Sequence, residues 1–200
     1  MTVMTGPASE VIGEAIARNA SPVVGETRLT TFGTDPYGGG IDHALTRRGA
    51  TSYDVAVGPS AVGPRDAEIA RIDEMISRSD IVKLNDEDLA WLRPWDRHGD
   101  AIRWLMSRGP AILVVTHGDT AATGYIRSGS VYVRGHRVEV ADTAEWEDAF
   151  MAGLLHALTA RGLLGRRTDR SLRTIGLDDL RGILHDANLS AAGAVTPTAA

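Results

Sequence analysis

The 200-residue chain contains no cysteine. That excludes disulfide staples, thiolate metal sites and cysteine nucleophiles, while leaving the redox compartment open because absence suits either. Any chemistry must come from oxygen and nitrogen groups. No stretch reaches the ~18 consecutive apolar residues of a membrane span, and Met1 to Glu10 lacks the basic-then-apolar order of a secretory signal. A cytoplasmic protein with no membrane partner is expected. Positive charge is also in short supply, the net charge being −5. Since nucleic-acid binding is driven by phosphate neutralisation, no nucleic-acid partner is expected, and the one basic run, Arg161 to Arg173, reads as a solvated linker. Internal repeats are absent, and the only low-complexity tract is the small-residue tail from Ala191 to Ala200. His43, His98, His136, His156 and His185 lack metal-ligand spacing.

What is present suits one domain with a sizeable core, because 43% of the residues are hydrophobic and 24% charged. Pro64 opens a helical pattern with Ile69, Ile72 and Ile76 on one face, followed by the short apolar strand Ile81-Val82-Lys83-Leu84. A second helix, Asp100 to Ser107, turns Ile102, Leu105 and Met106 inward and stops at Gly109-Pro110. It feeds Ala111-Ile112-Leu113-Val114-Val115, a continuous apolar run of the kind buried on both faces of a parallel sheet. Thr123 to Arg127 and Val131 to Arg134 read as a hairpin, Glu147 to Ala160 as a helix, and Leu177, Leu180, Ile183 and Leu184 as part of a closing helix. Helices alternating with buried strands predict an α/β layered fold with a central, mostly parallel sheet. Ligands in such sheets gather beyond the carboxyl ends of the strands, which directs attention to Asn85–Asp88, Thr116–Ala121 and Ala141–Asp148.

Taken in order, the motifs in and around those loops resemble the ribokinase/PfkB family of carbohydrate kinases, its fructokinases in particular. Phe32-Gly33-Thr34-Asp35-Pro36-Tyr37-Gly38, followed by an expected helix ending at Arg48-Gly49-Ala50, resembles the family's G-x-D-x-x-G segment. Asp54 to Pro59 is similar to D-x-N-x-R-P, Asn85 to Asp88 to N-x-x-E, and Thr116-His117-Gly118 to the T-x-G nucleotide loop. Asp142-Thr143-Ala144-Glu145-Trp146-Glu147-Asp148-Ala149-Phe150 resembles the signature D-T-x-G-A-G-D-x-F, and Asn188 to Thr196 resembles the stretch beside the adenine. The resemblance implies a ribokinase-like three-layer fold and transfer of phosphate from ATP to a sugar hydroxyl. In it Asp148 would be the catalytic base; Asn85, Thr116, Gly118, Glu147 and Asn188 would bind the nucleotide; Asp88 and Asp142 would organise Mg2+; and Asp35 and Asp54 would face the sugar. A monovalent cation such as K+ is a further candidate, and the expected partners are a sugar, ATP and a second copy in a homodimer.

The departures matter as much. The segments that would form the sugar-covering lid are not found between Ala50 and Ser52, and Arg18 stands where a sugar-binding aspartate is expected, so the domain reads as incomplete on its sugar side. Ala56 and Gly58 replace the Asn and Arg of D-x-N-x-R-P, and Asp88 replaces the Glu of N-x-x-E. Glu145, Trp146 and Glu147 replace G-A-G and would put two carboxylates and a ring at the phosphate position. At an effective dielectric near 20, one carboxylate about 5 Å from a phosphate charge costs on the order of 3 kcal/mol, about a hundredfold in rate. For these acids to turn outward or hold a metal, the sequence offers no matching ligands. Local structure also has its own explanations: Asp148 as a first-turn acid complementing the helix dipole, Asn85 as an N-cap with an acid three residues later, and Asn188 as a C-terminal cap. Trp91, Trp95 and Trp104 are expected in the core or as shielding residues. Two functions therefore stand open: a PfkB-type kinase, and a non-catalytic descendant acting as a nucleotide-binding or interaction module.

Overall fold

A computed structural model describes residues 28–32, 42–47, 50–57, 64–136, 143–164 and 172–195. Seven strands form one sheet in sequence order: β1 (Arg28–Phe32), β2 (Asp42–Arg47), β3 (Ala50–Asp54), β4 (Ile81–Asn85), β5 (Ile112–Thr116), β6 (Ala121–Ile126) and β7 (Gly129–Arg134). The expected α/β layering is present. Parallel pairing is confined to β3, β4 and β5 at the centre, and the pairs on either side are antiparallel. The parallel pairs have helical crossovers between them: α1 (Arg65–Ser77) joins β3 to β4, and α2 (Asp86–Leu92) with α3 (His98–Ser107) joins β4 to β5. Short described connections, residues 117–120 and 127–128, join the antiparallel neighbours β5, β6 and β7. The expected helix before Arg48 is a strand instead, since β2 pairs with β3 from His43↔Asp54 to Arg47↔Ala50. Only two residues separate Arg47 from Ala50, a spacing that closes a hairpin and leaves no room for a helix to turn back.

Each central strand supplies two cores because successive side chains leave opposite faces. Tyr53, Val82, Leu84, Leu113 and Val115 pack with Ile72, Ile76, Leu89, Ile102 and Leu105 beneath α1 to α3. On the other face, Ile81, Ile112 and Val114 pack with α4 (Thr143–Ala160) and α5 (Leu177–Val195), through Trp146, Phe150, Leu154, Leu158, Leu180 and Leu184. The two long helices approach closely at Gly153, where a Cβ would meet Ser190 Cβ at 2.4 Å and Ala187 Cα at 3.1 Å. Among the described residues no helix is long and apolar enough to cross a membrane.

Candidate functional site

The carboxyl ends of β4 and β5 lie side by side, Asn85 being the register partner of Thr116. Asn85 is the N-cap of α2: its side chain accepts from Asp88 N–H at 2.7 Å, and Asp88 accepts from Asn85 N–H at 3.3 Å. Asp88 also accepts from Val57 N–H at 2.9 Å, so both its oxygens are engaged by backbone. Burial raises its pKa, against the pull of those two N–H groups. At the end of β5, His117 lies between Asp86 and Thr123, at 2.8 and 2.7 Å, and stacks on Tyr132. This ties the Thr116–Thr120 loop to α2 and β6. Gly118 within it has φ 56°, a conformation that disfavours side chains.

The N-terminal part of α4 meets this edge through Glu147, and the three unusual residues there part company. Trp146 is buried and stacks on Phe150, ring centres 5.3 Å apart, so the indole fills core. Glu145 is exposed. Glu147 reaches inward: Thr116 Oγ1 donates to its two oxygens at 2.9 and 3.1 Å, and Lys83 Nζ lies 2.6 Å from it. The expectation of a ring and two bare carboxylates at the phosphate position is thus corrected. One acid points away, the ring packs inward, and the other acid is neutralised by a cation.

Lys83 is the centre of this arrangement. It sits mid-strand on β4 with its side chain 3% exposed, and Nζ also holds both oxygens of Asp54, its register partner on β3, at 3.0 Å. Burial alone would lower its pKa, but Asp54 and Glu147 overcome this and hold it above its ordinary value. Burial pushes the Asp54 carboxyl up to about 7 despite Lys83, and the charges of Glu147 and Asp148 add to the rise. Two carboxylates around one ammonium leave an excess of negative charge, so a proton is held more readily here than in water. Asp148 is half-buried on the same turn.

The structure therefore brings Asn85, Thr116, Asp88, Asp54 and Glu147 to one sheet edge, with Asp148 close enough for its charge to act on Asp54. Asn188 is buried on α5, and neither atom of its amide makes a hydrogen bond among the described residues. Asp35 and Asp142 lie outside the described residues. Lys83 was missed as a site residue, although it is the only lysine among 21 basic residues and interrupts an apolar strand.

A family model described as "pfkB family carbohydrate kinase" matches residues 45–196. The chain belongs to the pfkB family of carbohydrate kinases. Among its relatives, a fructokinase of Rhizobium leguminosarum bv. trifolii is 36% identical over 141 residues, which cover 68% of this chain and 43% of that protein. A Salmonella typhimurium fructokinase is 26% identical over 150 residues, covering 74% and 46%. Of solved structures, the aminoimidazole riboside kinase from Salmonella enterica superposes with TM-score 0.58 at 25% identity, over 74% of this chain and 46% of that one. The ATP-bound fructokinase from Xylella fastidiosa gives TM-score 0.63 at 24% identity over the same shares, a likeness of fold. The chain spans less than half of these four proteins.

Proposed function

We propose that the chain carries the phosphoryl-transfer part of a sugar kinase, with ATP as donor and a sugar hydroxyl, fructose being the first acceptor to try, as recipient. The observation supporting it most is the meeting of Asn85, Thr116 and the N-terminal part of α4 at one sheet edge, in the order the family motifs require. Phosphoryl transfer is mainly positioning and charge stabilisation, so a rigid strand-end platform is its first requirement. Thr116 and the Gly118 loop would hold phosphate oxygens. Asn188, buried with one donor and one acceptor group unpaired, suits the polar edge of a nucleobase. Asp148 is the residue assigned to take the proton from the acceptor hydroxyl.

Of the two residues assigned to Mg2+, Asp142 lies outside the described residues. Among the described residues no group of three or more His, Asp or Glu could hold a metal, and Asp88 spends both oxygens on backbone. Magnesium or K+ would have to be held by phosphates and water instead of a protein cage. On the acceptor side, Asp54 is bound to Lys83 through both oxygens, and Asp35, the other acid assigned to the sugar by resemblance, lies outside the described residues.

A second reading, a nucleotide-binding or interaction module without turnover, is favoured by Glu147 taking up the Thr116 hydroxyl. Calorimetric ATP titration with and without magnesium, followed by a coupled assay with fructose, separates the two. The kinase reading expects turnover that Asp148→Ala lowers by about a hundredfold or more with ATP affinity nearly unchanged. Binding without transfer selects the nucleotide-binding module, and no binding at all overturns the kinase reading and leaves the interaction module.

A further inference from the structure

The family signature does not provide for one contact of this site, the carboxylate of Glu147 on Lys83 and Thr116. We infer that Glu147 is the resident occupant of an anion pocket, a carboxylate held by Lys83 Nζ and Thr116 Oγ1 in the place of a phosphate-type oxyanion until one displaces it. The inference rests on the kinase reading for calling this edge the phosphate end.

Three observations carry it. The donors converge on one spot: Nζ lies 2.6 Å and a buried hydroxyl 2.9 and 3.1 Å from the same carboxylate, so an ammonium and an O–H group address one oxyanion. Of the two acids on Lys83, Glu147 is the one able to leave. Asp54 is fixed in register beside Lys83 within the sheet, whereas Glu147 sits near the start of α4, four residues after Thr143, with a longer side chain that is 19% exposed. Its departure also leaves no bare cation, because Asp54 keeps both oxygens on Nζ. An incoming oxyanion would thus replace one negative charge with another at the same donors. The consequence is a resting state in which anion affinity is reduced by the fraction of molecules whose pocket is closed.

Because Lys83 is the only lysine, amine chemistry reports on this pocket directly. The test compares the wild type with Glu147→Gln and Glu147→Gly, using inorganic pyrophosphate in calorimetry and labelling by pyridoxal 5′-phosphate with borohydride, read on the Lys83 peptide by mass spectrometry. The expected result is slow labelling and weak pyrophosphate binding in the wild type. Both should increase about tenfold or more in at least one variant with unchanged circular dichroism, and pyrophosphate should protect Lys83 from the label. Unchanged binding and labelling in a folded variant overturns the inference. So does unfolding of both variants, since a removable occupant cannot be the element that holds the fold. Neither probe involves ATP or a sugar: pyrophosphate binding gained without any ATP binding would sink the kinase reading and leave the pocket standing.

Discussion

Replacing Lys83 by methionine keeps the length and volume of the side chain and deletes the charge between Asp54 and Glu147. At an effective dielectric of about 20, contacts at 2.6 and 3.0 Å carry gross attractions of on the order of 6 and 5 kcal/mol. Desolvation of three charged groups cancels most of that. What the variant feels is the other side of the balance, Asp54 held in the sheet without a cation and next to Glu147, and removal of one partner from a buried pair costs about 3–5 kcal/mol. The loss should depend on pH. Without Lys83 the burial that already raises the Asp54 carboxyl is unopposed by a cation, so above the ~4 of an unfolded aspartate the native state binds more protons than the unfolded state and gains stability as pH falls. Urea unfolding followed by circular dichroism at pH 7.5 and pH 5 should show a loss of about 3–5 kcal/mol at the higher pH, shrinking to about half or less at the lower. Lys83→Arg, which keeps the charge, should lose less than Lys83→Met at pH 7.5. A loss under about 1 kcal/mol at pH 7.5, the worth of an ordinary surface pair, or one equal at both pH values, would refute the reasoning.

In the unaltered protein the raised Asp54 carboxyl means that the native state holds an extra proton between about pH 4 and 7, so stability should fall across that window as pH rises. Asp54→Asn should flatten the slope in urea titrations, and an unaltered slope would remove Asp54 as its source. Gly153→Ala should cost about 1–3 kcal/mol, because its methyl meets Ser190 and the α5 backbone, and Ser190→Ala should not relieve it, since the clash is with Cβ. Asn85→Ala should cost about 1 kcal/mol through loss of the capping box, with Asn85→Ser recovering most of it in the same melts.

Elements with strong periodicity were legible in the sequence: α1 and α3 from their spaced isoleucines and leucines, β5 from its unbroken apolar run, β4 from an apolar run broken only by Lys83, and the hairpin from two short runs separated by Ser128-Gly129-Ser130. Legibility failed where pairing partners decide structure. Asp42 to Arg47 has no clean alternation, and its ladders to β1 and β3 make it a strand. Trp95, expected to shield or pack, is 93% exposed, whereas Trp104 lies between the guanidinium groups of Arg93 and Arg108. The loops of the site could be named from the order of their motifs, but the direction of a side chain could not. Glu147 faces inward and Glu145 outward because they are two positions apart on a helix, roughly 200° around its axis, and Trp146 between them fixes which way the turn faces. Nor could spacing reveal Lys83 as a hub, since its partners are 29 and 64 residues distant. Its solitary occurrence was the available sign.

The two faces of the sheet are assembled from different stretches of chain. The layer under α1 to α3 draws its buried members from Tyr53 to Val115, whereas the opposite layer needs Trp146 to Ala191. On a ribosome delivering about 5–20 residues each second, the first layer can close several seconds before α5 emerges. In that interval Ile81, Ile112 and Val114 line a bare surface with an ammonium and a carboxylate in its midst. A surface so marked adheres poorly to other apolar chains, which would guard the nascent protein against clumping until its last helices arrive.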